Sequence, residues 1–342
     1  MMLLSYLTRR APASIASFRH VRYASSSSSI QSSSNNSNNY SNDEMVSKFM
    51  SSYSIEVTPN AAKKIKDFAN IELLKPNTTV NVTYLVGADI DESVSICKRL
   101  ADANMNPVAH VPSRAFASLV DVEDYLVQLK DVGVKELLLL GGGADVPKGE
   151  LHESMQILES GLIQKYEFSK IGVAAHPEGH PDINPNDLQK AILQKAEWAY
   201  VNSMPLYYET QFCFESKPIL DWEIQTRQEI IQHLTNNING FNLNDNAKKM
   251  KLPSVQLGIA GPATISNLIK FGAMSGVGNS LNFLTKYSGN VFKLATKHEP
   301  TDLILDVAKH YFNEDGNSLI DGLHFYPFGG FKSTLKWVHQ HI

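Results

Sequence analysis

The chain has 342 residues, 43% hydrophobic and 19% charged, and its 31 basic and 35 acidic residues give a net charge of −4. This composition excludes a disordered, collagen-like or coiled-coil chain and leaves no electrostatic footprint for nucleic acid. The only cysteines, Cys97 and Cys213, exclude a disulfide framework and a cysteine-based zinc site, and no run of about 18 apolar residues is present to span a membrane.

Residues 1–42 carry Arg9, Arg10, Arg19 and Arg22 and no acid, Asp43 being the first. Leu3, Leu4, Leu7, Ile15 and Phe18 fit one face of a helix. This Arg-rich, Ser-rich, acid-free character is that of a mitochondrial transit peptide; the alternative is a tail without an address. The tract from Ser25 to Asn42 has too little apolar surface to pack and is expected to be disordered. The expected organisation is therefore a matrix-targeting segment over 1–42 and one folded domain over 43–342.

Past residue 50 one unit repeats, a short β-branched run followed by a longer segment of helical period. The predicted strands are Ser54–Val57, Val80–Leu85, Pro107–Val111, Glu136–Leu140, Ile171–Ala175, Leu206–Phe212, Ser254–Ile259 and Gly322–Tyr326. Helical patterns lie between them, including Ala61–Ala69, Asp91–Ala103, Leu119–Val132, Gly149–Leu162, Asn186–Trp198 and Pro218–Leu234. Ser280–Thr296 reads as an extra helical piece before the last repeat. Alternating strands and helices imply parallel pairing through right-handed crossovers, and eight strands close a TIM-type barrel. A doubly wound sheet would usually show a Gly-rich loop after its first strand, where Thr58-Pro59-Asn60 stands instead. The expected fold class is α/β, a (β/α)8 barrel, with function gathered at the C-terminal strand ends.

The strand ends carry the candidate residues. Glu56, in the first strand, is either a surface glutamate or a carboxyl group in the barrel mouth, where burial raises its pKa for acid catalysis. The third strand ends in His110. The fourth runs into Gly141-Gly142-Gly143-Ala144-Asp145, which admits a flat ring or a phosphate close to the backbone, or is a plain loop. After the fifth strand, His176, Glu178 and His180 project from a loop stiffened by Pro177 and Pro181. A metal site of the metalloprotease kind needs its histidines on a helix, which the prolines oppose. No metal is expected, and the loop reads as His donors for a phosphate or ribose. Gln211, in an apolar and aromatic run, must satisfy the backbone or bind a ligand. Cys213 reads as a small core residue. Glycines and aromatics after the seventh and eighth strands suit a flat heteroaromatic ligand, with core packing as the alternative.

Together these segments resemble the methylenetetrahydrofolate reductase family over about residues 54–342. Val173–Pro181 resembles its V-A-(G/A)-Y-P-E-x-H-P loop, and Thr210–Phe214 its T-Q-(F/L)-F-F strand end. Val82-Thr83-Tyr84 is similar to its V-T-Y, Pro107–His110 to its P-x-A/P-H, and Ile55–Pro59 stands where the family has E-F-F-P-P. Gly258–Pro262 and Leu323–Phe331 look most like short members without a C-terminal regulatory domain. The resemblance implies FAD at the strand ends, NADH or NADPH as co-substrate, and reduction of 5,10-methylenetetrahydrofolate to 5-methyltetrahydrofolate. It implies that Glu56 is the general acid and that Gln211 contacts folate and nicotinamide. Thr83, His110, His180, Asp187 and Lys195 match its FAD contacts, and Gly142, Gly143, Ala175 and His176 fall at cofactor-binding positions. Two departures stand out. The family's fourth-strand R-G-D is replaced by the glycine run, with Asp145 displaced from the aspartate's place, and its fifth-strand tyrosine is His176. A flavin-free folate-binding barrel handling one-carbon units from demethylation, or an inactive binding subunit, are the rival readings. The expected partner is a tetrahydrofolate derivative, with no nucleic acid and no membrane, and assembly into a homo-oligomer is left open.

Residues 1–42 fused to a soluble reporter are expected to carry it into the mitochondrial matrix, and replacing the four arginines by glutamate to abolish import. Fluorescence microscopy with a matrix marker reads the outcome, and a cytosolic wild-type fusion contradicts it.

Overall fold

The short runs rich in Val, Ile, Leu and Tyr alternate in burial and pair side by side. They form β1 (Tyr53–Val57), β2 (Thr79–Val82), β3 (Asn106–Pro112), β4 (Glu136–Leu140), β5 (Lys170–Ala175), β6 (Leu206–Cys213), β7 (Ser254–Ala260) and β8 (Ile320–Tyr326). This is a computed structural model, describing residues 40–84, 87, 89–144, 146–241, 252–275, 297–314 and 317–342. All pairings are parallel, in the order β1-β8-β7-β6-β5-β4-β3-β2, and β2 closes back on β1. The expected (β/α)8 barrel is present.

Period-two alternation splits each strand between two environments. Ile55, Val57, Val80, Val82, Val111, Leu137, Leu139, Ile171, Val173, Leu257 and Phe325 turn outward into the main apolar core, with Ile96, Leu100, Leu126 and Ile304 of the surrounding helices. The opposite face of the strands points into the barrel and carries Ser54, Asn81, His110, Glu209 and His324, all buried. A smaller apolar cluster of Phe212, Phe214, Ala260, Ala263 and Leu268, backed by Tyr326 and Phe328, covers the C-terminal ends of β6 to β8.

Several boundaries differ from the sequence pattern. A helix at Asn42–Met50 precedes the barrel, capped by Ser41 in a reciprocal box with Glu44, and buries Val46, Phe49 and Met50. Its anchor reaches back to Tyr40, whose ring lies 5.5 Å from that of Phe312. Tyr40, Ser41 and Asn42, which the sequence places in the polar tract, thus belong to the folded part, because one apolar turn finds a helix to pack on. β2 stops at Val82, with the Thr83 amide donating to the Val57 carbonyl at 3.2 Å. The Gly149–Leu162 pattern forms two short helices, Ser154–Glu159 and Leu162–Lys165, split where Gly161 takes a φ of 78°. The Ser280–Thr296 helix lies outside the described residues.

The register between β6 and β7 shifts between Glu209 and Phe212. Such a bulge re-aims the residues within it, here Thr210 and Gln211. The Gly258 amide donates to Thr210 Oγ1 at 2.9 Å, and Thr210 Oγ1 donates to the Gln211 carbonyl at 2.9 Å. A Cβ on Gly258 would stand 2.4 Å from the Thr210 carbonyl oxygen. Gly258→Ala is therefore expected to destabilise the fold by about 1–3 kcal/mol, the scale of an overpacked site. Denaturant midpoints of the variant and the wild type check this, and an unchanged midpoint contradicts it.

Candidate functional site

Two groups of polar side chains mark the barrel. The first lies inside it. Glu56, on β1, keeps partial exposure, yet burial pushes its carboxyl pKa up to about 8. Of the two sequence readings, the structure adopts the carboxyl in the barrel. Asn81 is its register partner on β2. From there Asn81 Nδ2 donates to Glu209 Oε2 at 2.7 Å. β2 and β6 stand opposite each other in the closed order, so this bond crosses the interior. Burial, and then the charge of Glu56, hold the Glu209 carboxyl well above the usual carboxylate range, against the opposing effect of the Asn81 hydrogen bond.

Two imidazoles complete this group. His324 Nδ1 lies 2.8 Å from Ser54 Oγ and 3.4 Å from Glu209 Oε2. Burial, and then His110, push His324 down to about 3, and burial alone takes His110 to about 3. Both rings are therefore neutral. The Nε2 atoms of His110 and His324 and the Oδ1 of Asn81 are buried without a hydrogen-bond partner.

The second group follows β5. The Gly179 amide donates to the His176 carbonyl at 2.9 Å, closing a tight turn in which Gly179 takes a φ of 89°. The turn stacks His176 on His180, with ring centroids 5.0 Å apart. Burial, then the neighbouring His180 and Lys195, push His176 down to about 4, and its Nδ1 is buried without a partner. Burial lowers the ammonium pKa of Lys195, partly offset by Glu153. A largely desolvated cation close to the His176 ring suits an anionic group such as a phosphate. Among the described residues no cluster of three or more His, Cys, Asp or Glu could hold a metal ion.

The other predicted residues divide. Thr83 is buried at the mouth, just beyond β2. Gly142 takes a φ of 95° and presses on Pro112, where an added Cβ would lie 2.9 Å from the Pro112 Cβ, whereas Gly143 faces open space. Gln211 sits in the β6 bulge, partly exposed. Ala175 turns its side chain into the outer core, so only its backbone can meet a ligand. Asp187 is exposed and bound into the N-cap of the Pro185–Val201 helix, where its amide and carboxylate both pair with Asn184. This position shows no approach to the inner group. Asp145 lies outside the described residues. Cys213 is buried, with Sγ 3.6 Å from the Gly258 carbonyl and its thiol pushed up by burial, as a core residue should be.

Ser54, Asn81, Glu209 and His324 are site residues that the motifs do not mark. Their signal is a polar side chain at alternate positions of an otherwise apolar strand. The aromatics after β8 resolve into a stacked series, with Phe328 4.4 Å from Phe271 and 5.8 Å from Tyr326. Tyr326 also donates its hydroxyl to the Thr210 carbonyl at 2.9 Å, tying β8 to the bulge.

The family model described as methylenetetrahydrofolate reductase matches residues 41–259, more than half of the chain. Among solved structures, a candidate deoxyribose-phosphate aldolase from Toxoplasma gondii ME49 aligns at 10% identity and a TM-score of 0.47, covering 86% of this chain and 93% of that one. A candidate phosphonomutase from Burkholderia cenocepacia J2315 aligns at 10% identity and a TM-score of 0.42, covering 84% and 94%. At these scores neither likeness carries an argument, and the barrel rests on its own strand pairing.

The buried carboxyl of Glu56 makes stability depend on pH. Below its ordinary value of 4.5 it is protonated both folded and unfolded. Between 4.5 and about 8 the unfolded chain has released the proton and the folded chain still holds it, so stability falls as pH rises through this window. Glu56→Gln should thus gain on the wild type steadily from about pH 5 to 8 in urea denaturation. Parallel curves would place the carboxyl in water.

Proposed function

The chain belongs to the methylenetetrahydrofolate reductase family, and on that premise we propose that it is a flavin-dependent reductase of the mitochondrial matrix. It converts 5,10-methylenetetrahydrofolate to 5-methyltetrahydrofolate with NADH or NADPH. The observation that carries this reading is Glu56, an acid that keeps its proton at neutral pH inside the barrel. A general acid works best with a pKa near the operating pH, and a free surface glutamate would already be ionised.

The residues present fit FAD. His110 Nε2 and His176 Nδ1 are buried polar atoms without protein partners. Lys195 is a largely desolvated cation whose charge reaches the neutral His176 ring. His176, His180 and Lys195 would hold the phosphates, and Thr83, His110 and the backbone at Gly142, Gly143 and Ala175 the rest of the group. Bound there, FAD would supply hydride transfer between nicotinamide and folate. The chain does the remainder. Glu56 gives its proton to a folate nitrogen, which helps open the five-membered ring. Gln211, fixed by the bulge, orients folate and nicotinamide in turn. The aromatic series of Phe271, Phe328 and Tyr326 keeps water from one side of the mouth. Asp187 enters this scheme through the carboxylate oxygen that Asn184 does not hold, and the flavin-side role of the family's aspartate falls to Asp145 or is vacant.

Glu56→Gln should still bind FAD and accept hydride from the nicotinamide cofactor, while folate reduction falls by roughly 10²–10⁴-fold, the range for losing a positioned acid. Anaerobic stopped-flow measurement of the two half-reactions separates these effects. Wild-type folate reduction in the variant would remove Glu56 from the role.

A further inference from the structure

The polar line inside the barrel continues away from the proposed folate site. Ser54 Oγ is 2.8 Å from His324 Nδ1, and the same nitrogen is 3.4 Å from Glu209 Oε2. Asn81 holds Glu209 from across the barrel, and Glu56 is the register partner of that same Asn81 on the neighbouring strand, which brings the two carboxyl groups to one side chain. At its other end the line meets a cavity. A space of about 410 Å³ at the N-terminal end of the barrel is lined by Ser54, Glu136, Lys170 and Tyr207. Exposed Ser51 and Ser52 stand at its rim, so the space is continuous with solvent. Ser54 thus touches both the cavity and the interior network.

We infer that Ser54, His324 and Glu209 form a proton path through the barrel, from water in the N-terminal cavity to Glu56. The destination of the proton rests on the reductase reading; the path itself does not. When Glu56 has given up its proton it is a carboxylate in a largely desolvated site, and folate and flavin bound at the mouth would close off its exposed side. The O–H bond of Glu209 breaks as that of Glu56 forms. Glu209, now a carboxylate, takes the proton from His324 Nδ1, whose transient imidazolium forms as the Ser54 hydroxyl gives Nδ1 its proton and takes one from cavity water, and the hydroxide left behind passes to solvent through the open cavity. One proton enters for each one used, and no electron moves. The other titratable groups facing the line are His110 on β3, Tyr207 on β6 and Tyr326 on β8. Lys170, Glu136 and Asp321 lie at the cavity. Neutral imidazole and neutral carboxyl groups suit a relay, since no member rests as a buried ion.

The test uses the full chain with no added cofactor or folate. The protein is transferred rapidly from H2O to D2O, and deuteration of buried carboxyl groups is followed by their infrared carbonyl bands, assigned with Glu209→Gln and Glu56→Gln. Ser54→Ala and His324→Gln should each slow deuteration of the Glu209 and Glu56 bands by about tenfold or more, the scale of a barrier raised by one hydrogen bond. Ser54→Ala removes only a hydroxyl, so it keeps the test valid if the His324 variant fails to fold. Lys170→Met, which lines the cavity off the line, should deuterate at the wild-type rate. Wild-type rates in Ser54→Ala, or slowing in Lys170→Met alone, would overturn the path. Failure of the reductase reading would appear separately, as a flavin that folate does not reoxidise.

Discussion

Closing eight parallel strands removes water from the space they enclose, and the rest of the structure answers to that exclusion. Two carboxyl groups, two imidazoles, an amide and a hydroxyl share this space. None can be ionised cheaply there, because an isolated charge loses its hydration without a compensating partner. Glu56 and Glu209 are therefore acids and His110 and His324 neutral bases at neutral pH. The Asn81–Glu209 bond joins strands on opposite sides of the barrel and sets where the two carboxyl groups stand.

A barrel interior is usually packed with branched apolar side chains. This one is polar and incompletely paired, with Asn81 Oδ1, His110 Nε2 and His324 Nε2 all lacking partners. Each such atom costs about 1–3 kcal/mol. The apolar core outside the strands offsets this, since nearly every outward strand residue is fully buried against the helices. Stability thus resides outside the strands and chemistry within them. The β6 bulge links the two, because Gly258 makes room for a backbone shift that turns Gln211 to the mouth.

The fold was legible because period-two and helical patterns alternate along the chain, and all eight strands stand within a few residues of their expected positions. The Asn42–Met50 helix was not, since a single apolar turn after a polar tract gives no periodicity to read. Glu56 was legible as a choice between two faces, and only closure of the barrel decides it. Glu209 and His324 were visible as residues but not as a pair, because they meet across strands far apart in sequence. Asp187 fits the family pattern by spacing, while its local role, pairing one carboxylate oxygen with Asn184 at a helix N-cap, is seen only in the structure. Ala175 likewise matches by position, while strand alternation turns its side chain outward.

Beyond β5, the loop and the Pro185–Val201 helix that follows it form the second polar group. His176, His180 and Lys195 gather donors and positive charge on one rim, and Glu56 waits on another. The reductase reading requires a flavin between them that both substrates can reach. The most direct measurement is the visible spectrum of the purified full chain, reconstituted with FAD under anaerobic conditions. The account predicts bound-flavin bands that bleach with NADH or NADPH and return on adding 5,10-methylenetetrahydrofolate. A chain that binds the folate but neither retains FAD nor shows these bands would contradict it.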